Sequence, residues 1–271
     1  MASTSRMDGG TNARIKILVR VRPLNDKDRA NKCHNLLKGD EQLLHVLDPA
    51  AFELEAGAGL RPEILAGWTR DFCFDRVLWP EQSTQETLFE EVGEKAIEYV
   101  MNGFNCCIFA FGQTSSGKTH SMFGKVRGDP SHFGLIPRIC YSLFDKIGAS
   151  DCDGSYGETT TETSVTFSHM EIYNEVVRDL LVSGSAPLRV REHPSRGVFV
   201  ANLTSVRVTR FEHVLTLIAV GEANRASAAT EANAHSSRSH AVVTLCVVRR
   251  SRQAKGCSGA EAGAGGGAVA G

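Results

Sequence analysis

One stretch decides the fold class of this chain of 271 residues: Gly112-Gln113-Thr114-Ser115-Ser116-Gly117-Lys118-Thr119. It satisfies the pattern G-x-x-x-x-G-K-[ST], in which small residues let successive backbone N–H groups converge on the oxygens of a phosphate. In such a loop the Lys118 ammonium reaches the β and γ phosphates of a nucleotide, and the Thr119 hydroxyl ligates a Mg²⁺ ion that bridges them. The alternative is a glycine-rich turn followed by a chance Lys-Thr pair.

The residues on either side of this loop favour phosphate binding. Before the loop, Cys106-Cys107-Ile108-Phe109-Ala110-Phe111 is an unbroken apolar run, which predicts a short strand buried on both faces, as in parallel sheets. After the loop we expect a helix, whose N-terminus adds roughly half a positive charge. Strand, loop and helix in this order are the context that the pattern requires.

Helical and strand periodicities alternate along the rest of the chain. Leu88, Val92, Ala96 and Val100 recur at helical spacing and predict a helix over residues 83–101, with Gly103 beyond its end. Further helices are predicted over residues 135–147 and around 211–218. Strands are predicted over 15–21, 43–47, 71–75, 165–173, 188–191, 198–200, 206–208 and 242–248. These elements predict one α/β domain.

Composition excludes several classes of protein. Lys and Arg together number 30 and Asp and Glu number 31, so the formal net charge of −1 gives no general basic field for nucleic acid or an anionic membrane. The eight cysteines contain no C-x-x-C pair, which favours reduced thiols in a cytosolic protein. The N-terminus has no signal-peptide core, and the longest apolar stretch is far shorter than a membrane span.

A second polar constellation precedes the last predicted strand. Residues Asn233-Ala234-His235-Ser236-Ser237-Arg238-Ser239-His240 combine hydroxyls, an amide and a cation. Such groups can bind Mg²⁺ and phosphate. They also suit a helix cap, because Ser and Asn favour helix starts for local reasons. Residue types alone leave both interpretations open.

Several separated motifs resemble those of the kinesin motor domain, in that family's order. They are Arg20-Val21-Arg22-Pro23, Phe74-Asp75-Arg76-Val77, the stretch from Gly103 to Thr119, Ser168-His169-Met170-Glu171-Ile172-Tyr173-Asn174-Glu175, and the stretch from Asn233 to His240. The resemblance covers about residues 15–248. It implies an α/β P-loop NTPase with a central mixed, mostly parallel sheet flanked by helices. It also implies ATP and Mg²⁺ as ligands, microtubules as the partner, and a cytoplasmic, cytoskeletal location.

The resemblance also assigns roles to individual residues. Gly112 to Thr119 would hold the phosphates, and Asn233, Ser236, Ser237 and Arg238 resemble the family's first switch. There the Ser237 hydroxyl would meet Mg²⁺ beside Thr119, Asn233 and Ser236 would organise the attacking water, and Arg238 would pair with a distant glutamate. The adenine base would be contacted by Arg20, Arg22, Pro23, Phe89 and His120. For Phe89 a simple core position is the alternative, since an aromatic residue on a helical stripe is usually buried.

The sequence departs from the family after the strand at residues 242–248. The second switch, which reads Asp-Leu-Ala-Gly-Ser-Glu in the family, does not follow, and neither do the helices that grip the microtubule. Asp151-Cys152-Asp153-Gly154 spells D-x-x-G but precedes the first switch, so we expect a loop there. We therefore expect a polar disordered arm over 1–13, a partial motor domain over 14–248, and a disordered Arg-rich, then Gly/Ala-rich tail over 249–271.

This departure shapes the expected function. ATP binding with weak or no turnover is expected, because phosphoryl transfer depends on positioning and charge stabilisation that the second switch supplies in the family. Unpaired strand edges are also expected, including that of residues 106–111. The alternative is a non-catalytic nucleotide-binding or regulatory relative. A guanine preference is not expected, because Asn31-Lys32-Cys33-His34 lacks the Asp of an N-K-x-D motif.

Microtubule contact by this chain alone is expected to be weak. The predicted hairpin tip near Arg191, His193 and Arg196 resembles a kinesin loop that faces the acidic tubulin surface. Three exposed cations more often belong to a solvated turn, and that explanation is favoured here.

Overall fold

A computed structural model describes residues 15–47, 68–152, 159–195, 197–231 and 239–253. The chain divides into two compact units, residues 1–88 and residues 89–271.

The first unit contains two small sheets. Strand β1 (Leu18–Arg20) pairs in parallel with β5 (Arg76–Leu78), and β2 (Leu37–Gly39), β3 (Leu43–Leu47) and β4 (Trp68–Cys73) form an antiparallel sheet. A short helix, α1 (Asp26–Ala30), starts with a capping box between Asn25 and Asp28. Val21, Leu44 and Val77 form the buried centre of this unit.

The second unit is built on a long antiparallel pair. Strand β6 (Thr159–Tyr173) pairs with β11 (Ser239–Gln253) along its whole length, and β7 (Val176–Asp179) and β10 (Val206–Val208) pair with the other edge of β6. Strands β8 (Val190–His193) and β9 (Gly197–Val200) form a separate hairpin. Among the described strands β1 and β5 form the single parallel pair and every other pair is antiparallel, so the expectation of a mostly parallel sheet is wrong for the described residues.

Within the described residues, four helices accompany this sheet. They are α3 (Glu94–Met101), α4 (Lys118–Met122), α5 (Leu135–Cys152) and α6 (Phe211–Glu231). Apolar side chains from α3, α5 and α6 pack against Val165 and Phe167 of β6. Burying each large apolar side chain contributes about 1.5–3 kcal/mol, so this contact stabilises the second unit.

The helix predicted over residues 83–101 is present, but a π-helical turn interrupts it. Helix α2 (Gln85–Leu88) is followed by the π turn (Phe89–Gly93) and then by α3. At Gly93, an added Cβ would lie 2.3 Å from the Phe89 ring, so glycine makes room for this aromatic side chain. Helix α3 ends in a Schellman motif, with Gly103 at φ +86° and a bond from the Phe104 N–H to the Tyr99 carbonyl at 2.9 Å.

The prediction of a buried strand over residues 106–111 is wrong for the described structure. This segment pairs with no strand among the described residues, and Phe109 and Phe111 are 77% and 96% exposed. A strand buried on both faces also needs a hydrogen-bonded neighbour on each edge. An apolar run carries no information about whether those neighbours exist.

Several elements extend beyond their predicted ends, and two of these extensions enter segments that were expected to be irregular. Helix α5 continues to Cys152, so Asp151 and Cys152 of the D-x-x-G stretch are helical, while Asp153 and Gly154 lie outside the described residues. Strand β11 continues to Gln253, within the tail that was predicted to be disordered from residue 249; residues 254–271 lie outside the described residues. In the described part of the chain, no helix is both long and apolar enough to cross a bilayer.

Candidate functional site

The phosphate loop (residues 112–119) has the backbone that its glycines predict. Gly112 and Gly117 have φ values of +155° and +100°, and Gly117 immediately precedes α4. A Cβ added at Gly112 would lie 2.5 Å from the Ser116 Oγ. Ser115 also adopts a positive φ, +68°, which a non-glycine residue seldom does. The loop is therefore folded into a tight concave turn at the start of a helix.

The ammonium of Lys118 lies inside this turn. Its Nζ donates hydrogen bonds to the carbonyl oxygens of Gly112 at 2.7 Å and Gln113 at 2.8 Å. The long side chain thus folds back over the loop that precedes it. Thr119, the next residue, has an exposed side chain in the first turn of α4.

The end of α4 is anchored in the second unit. Phe123, its C-cap residue, is buried, and its ring centroid lies 5.9 Å from that of His169 on β6. The following turn is held by Arg138, which donates from Nε to the Phe133 carbonyl at 2.9 Å and from Nη2 to the Ser131 carbonyl at 3.0 Å. The helix that carries Lys118 therefore has a fixed C-terminal end.

A buried polar cluster consists of His169, Glu171, Glu222 and Arg225. Its member His169 lies next to Phe123, the C-cap residue of α4. Arg225 of α6 donates from Nε to Glu171 Oε1 at 3.0 Å and from Nη2 to Ser239 Oγ at 3.1 Å. The pair therefore joins α6 to β6 and to the first residue of β11.

Two members of the buried polar cluster have buried side-chain atoms without a hydrogen-bond partner among the described residues. Neither ring nitrogen of His169 has one within the described part of the chain, and the same holds for Glu222 Oε1. Burial lowers the pKa of His169 to about 4, with the positive charge of Arg225 acting in the same direction. Burial also raises the pKa of Glu222.

Sequence reasoning missed the buried polar cluster, although the alternation of side chains along strand β6 indicates it. Val165, Phe167, His169 and Glu171 alternate along β6 and so share one face. Val165 and Phe167 belong to the core, so His169 and Glu171 also point inward. Polar residues at core-facing positions of a strand require partners, and this requirement predicts a cluster.

The adenine contacts implied by the family resemblance were placed on Arg20, Arg22 and Pro23, which lie in the first unit. Arg20 donates to Ser83 Oγ and to the Ser83 carbonyl, both at 2.8 Å, and to Gln85 Oε1 at 3.1 Å. Burial lowers the pKa of Arg20. Arg22 donates to the Pro23 carbonyl at 3.1 Å and pairs with Asp28 at 2.8 Å.

The other implied site residues fall in different places. Phe89 is half-buried and packs against the core of the second unit, and His120 lies on an exposed part of α4. Asn233, Ser236, Ser237 and Arg238 lie outside the described residues, as does Arg196 at the hairpin tip. The structure thus brings together residues 112–119 and leaves the first switch undescribed.

Comparison with known proteins gives a consistent result. The family model named Kinesin motor domain matches residues 20–264. The chain is 37% identical over 246 residues to the kinesin-like protein unc-104 of Caenorhabditis elegans, which covers 87% of this chain and 14% of that protein. It is 38% identical over 246 residues to the kinesin-like protein KIF13A of Mus musculus, covering 88% of this chain and 13% of that protein.

Solved structures agree with the sequence comparison. A fast kinesin superimposes with a TM-score of 0.74 at 28% identity, covering 91% of this chain and 68% of that one. KIF14, in a complex with a microtubule, gives 0.71 at 30% identity, covering 88% and 62%. The kinesin-type P-loop NTPase fold expected from the resemblance is thereby confirmed. The chain spans only a small part of the two curated relatives named above, but the match extends over most of its own length, and it belongs to the kinesin motor domain family.

Proposed function

We propose that this chain binds ATP together with Mg²⁺ through the phosphate loop. The observation that carries the proposal is the position of the Lys118 ammonium, held inside the loop by two carbonyl oxygens at 2.7 and 2.8 Å. Phosphate oxygens bear formal negative charge, so they are stronger acceptors than neutral carbonyls. We expect Lys118 to transfer its hydrogen bonds to the β and γ phosphates when a nucleotide binds.

The donor chemistry of the loop fits a magnesium ion. Mg²⁺ is typically held by one or two protein oxygens, by waters and by substrate phosphate oxygens, and the exposed Thr119 hydroxyl offers such an oxygen. We propose that the Ser237 hydroxyl supplies a second protein oxygen to the same Mg²⁺ ion. The described residues contain no group of three or more His, Cys, Asp or Glu side chains able to hold a metal, which is compatible with an ion held largely by phosphate. When bound, Mg²⁺ neutralises charge on the transferring phosphoryl group.

The adenine contacts remain part of this proposal. Arg20 has its guanidinium fixed by Ser83 and Gln85, so its planar face is pre-oriented for stacking on a base. Arg22, Pro23, Phe89 and His120 are the other proposed contacts. Asn233, Ser236 and Arg238 are proposed to act at the γ phosphate, the first two on the attacking water and Arg238 through a carboxylate partner.

We propose that turnover by this chain alone is weak. The side-chain hydrogen bonds of Lys118 among the described residues go to the carbonyl oxygens of Gly112 and Gln113, and none goes to an Asp or Glu side chain. Transfer of a phosphoryl group to water requires a positioned nucleophile and stabilisation of the developing charge. ATP binding requires only the phosphate loop. We therefore expect this chain to bind ATP even though its turnover is weak.

Titration calorimetry tests the binding proposal. We expect heat on addition of Mg-ATP to the full chain and its loss in Lys118→Ala. The matched control is Lys95→Ala, which removes an exposed lysine whose pair with Glu91 spans 3.9 Å and contributes little to stability. Absence of binding by correctly folded wild-type chain, or equal affinity in Lys118→Ala and Lys95→Ala, contradicts the proposal.

We also propose that a protein containing this domain couples ATP hydrolysis to movement along microtubules, in the cytoplasm. Family membership supports this proposal. The β8–β9 hairpin adds no independent support, because exposed cations such as Arg191 also suit a solvated turn. The microtubule contact of this chain alone is proposed to be weak, and cosedimentation with microtubules over a range of salt concentrations measures it.

The second candidate is a non-catalytic nucleotide-binding or regulatory module. It is favoured by the same observation, that Lys118 has carbonyl oxygens and no carboxylate as hydrogen-bond partners among the described residues. Phosphate release with and without microtubules separates the two functions. Release that microtubules stimulate and that Lys118→Ala abolishes supports the motor. Tight ATP binding without release under either condition supports the regulatory module.

A further inference from the structure

The guanidinium of Arg20 is held along its edge by the turn that leads into α2. Its Nε donates to Ser83 Oγ and its Nη2 to the Ser83 carbonyl, both at 2.8 Å, and its Nη1 donates to Gln85 Oε1 at 3.1 Å. Because guanidinium N–H bonds lie in the plane of the group, these contacts use its edge and do not occupy its two faces.

The two residues that supply these acceptors are themselves fixed. Gln85 is only 8% exposed and begins α2. Thr84, which lies between them, caps the helix: its Oγ1 accepts from the Thr87 N–H at 3.0 Å and lies 2.9 Å from Thr87 Oγ1. Ser83 and Gln85, here called the guanidinium clamp, therefore hold Arg20 against a fixed piece of backbone.

The backbone of Arg20 is fixed separately, by the parallel pair of β1 and β5. Arg20 lies opposite Leu78, and the next residue, Val21, donates its N–H to the Leu78 carbonyl at 2.9 Å. Val19 and Val21 belong to the apolar core of the first unit, so Arg20 projects from the opposite face of β1. Its side chain is partly exposed there. A cation with a fixed plane and partial exposure is suited to stack on a flat ligand.

We propose that Ser83 and Gln85 are positioning residues for the base of ATP, and that they hold Arg20 so that one face of its guanidinium stacks on the adenine ring. This inference rests on the proposed function, because it requires a bound nucleotide. A mobile arginine loses rotamer freedom when it stacks on a base, whereas a clamped arginine has already lost it. The guanidinium clamp therefore strengthens base binding without touching the ligand.

Comparison of ATP with ribose 5-triphosphate, each with Mg²⁺, isolates the contribution of the base. Ribose 5-triphosphate keeps the sugar and the phosphates and lacks adenine, so the ratio of its dissociation constant to that of ATP measures the effect of adenine. We expect Ser83→Ala and Gln85→Leu each to lower this ratio about threefold or more, as for a cation lost from an aromatic face. The affinity for ribose 5-triphosphate is expected to stay close to the wild-type value.

Conservative variants and a neighbouring glutamine provide the controls. Ser83→Thr and Gln85→Glu keep an acceptor oxygen for Arg20, so they are expected to keep the wild-type ratio. Gln82→Leu changes an exposed glutamine of the same turn and is expected to keep it as well. Circular dichroism confirms folding, and if Gln85→Leu misfolds, Ser83→Ala decides the question.

A double variant tests whether the guanidinium clamp acts through Arg20. Arg20→Ala removes the stacking group, so the addition of Ser83→Ala is expected to cause no further fall in the ratio. A further fall would mean that Ser83 acts on the ligand directly, and it would overturn the proposal.

Competition against a fluorescent ATP analogue measures the two dissociation constants. A lower ratio in Ser83→Ala, restored in Ser83→Thr, supports the proposal. Two outcomes overturn it: a ratio near one in the wild type, or an unchanged ratio in Ser83→Ala, whether or not both affinities fall. Either outcome leaves ATP binding through the phosphate loop intact. Failure of correctly folded wild-type chain to bind either ligand contradicts the proposed function as well.

Discussion

Arg225 reaches from α6 to Glu171 on β6, with 3.0 Å between Nε and Oε1, and Glu171 is only 2% exposed. A buried pair of this kind is costly to break, because removal of one partner leaves the other charge without compensation. We expect Arg225→Met to lower the free energy of unfolding by about 3–5 kcal/mol. Urea unfolding measures this loss.

A double variant separates the net value of this pair from the cost of breaking it. Arg225→Met combined with Glu171→Leu is expected to be more stable than Arg225→Met alone, because apolar replacements of a buried pair are often neutral. Breaking the exposed Lys95–Glu91 pair is the control and is expected to cost at most about 1 kcal/mol. If the two pairs cost the same, the buried interaction contributes no more than a surface one.

Two helical glycines are predicted to respond to alanine in opposite directions. At Gly221 a Cβ would lie 2.1 Å from His169 Nδ1, whereas at Gly148 nothing lies within 4 Å. Gly148→Ala is expected to stabilise the chain by about 0.5–1 kcal/mol through helix propensity. Gly221→Ala is expected to destabilise it by about 1–3 kcal/mol through overpacking. Thermal unfolding of both variants checks the signs, and stabilisation by both would show that His169 can move aside.

The stability of the chain is predicted to depend on pH through His169. Its pKa of about 4 in the folded state lies below the ordinary histidine pKa of 6.5. The unfolded state therefore binds the proton more readily, and the stability present above pH 6.5 is lost as the pH falls towards 4. The full effect is about 3 kcal/mol.

Urea unfolding at several pH values measures the contribution of His169. We expect His169→Leu to flatten the profile between pH 6.5 and 4, because leucine is apolar and does not titrate. His132→Gln, which removes an exposed histidine, is the control and is expected to leave the slope unchanged. A wild-type slope that persists in His169→Leu assigns the pH dependence to other groups.

Arg20 is predicted to be structural as well as ligand-binding. Three acceptor contacts, to Ser83 Oγ, the Ser83 carbonyl and Gln85 Oε1, use the planar geometry of its guanidinium. Lysine cannot reproduce this arrangement, so Arg20→Lys is expected to cost about 1–3 kcal/mol of unfolding free energy. Arg22→Lys disturbs an exposed pair and is expected to cost less than about 1 kcal/mol. Chemical unfolding compares them, and equal losses contradict this distinction.

The exposure of residues 106–111 leads to a prediction about solubility. Phe111→Ser is expected to change the unfolding free energy by less than about 0.5 kcal/mol, because the side chain is 96% exposed. Phe167→Ser, in the core, is expected to cost several kcal/mol. The first variant is also expected to remain soluble at higher concentration, as measured by turbidity. A large loss of stability in Phe111→Ser indicates that this segment is packed in solution.

Features that depend on local chemistry were predicted from the sequence. The tight turn of residues 112–119 and the helix after it were predicted because glycine spacing specifies them within eight residues, and the end of α3 was predicted because Gly103 permits the backbone that terminates a helix. Features that depend on distant partners were missed. Hydrogen-bonded neighbours determine whether residues 106–111 form a strand, and the Glu171–Arg225 pair joins residues that are 54 positions apart.

Helix α4 joins the phosphate loop to the core over a very short distance. Lys118 begins the helix, and Phe123 at its other end is buried beside His169. A helix of five residues has about one and a half turns and bends little, so a force on one end displaces the other. Amide hydrogen exchange at Phe123 and Phe167 is therefore expected to slow when ATP binds, and a ligand that tightens the loop also makes the centre of the domain harder to open.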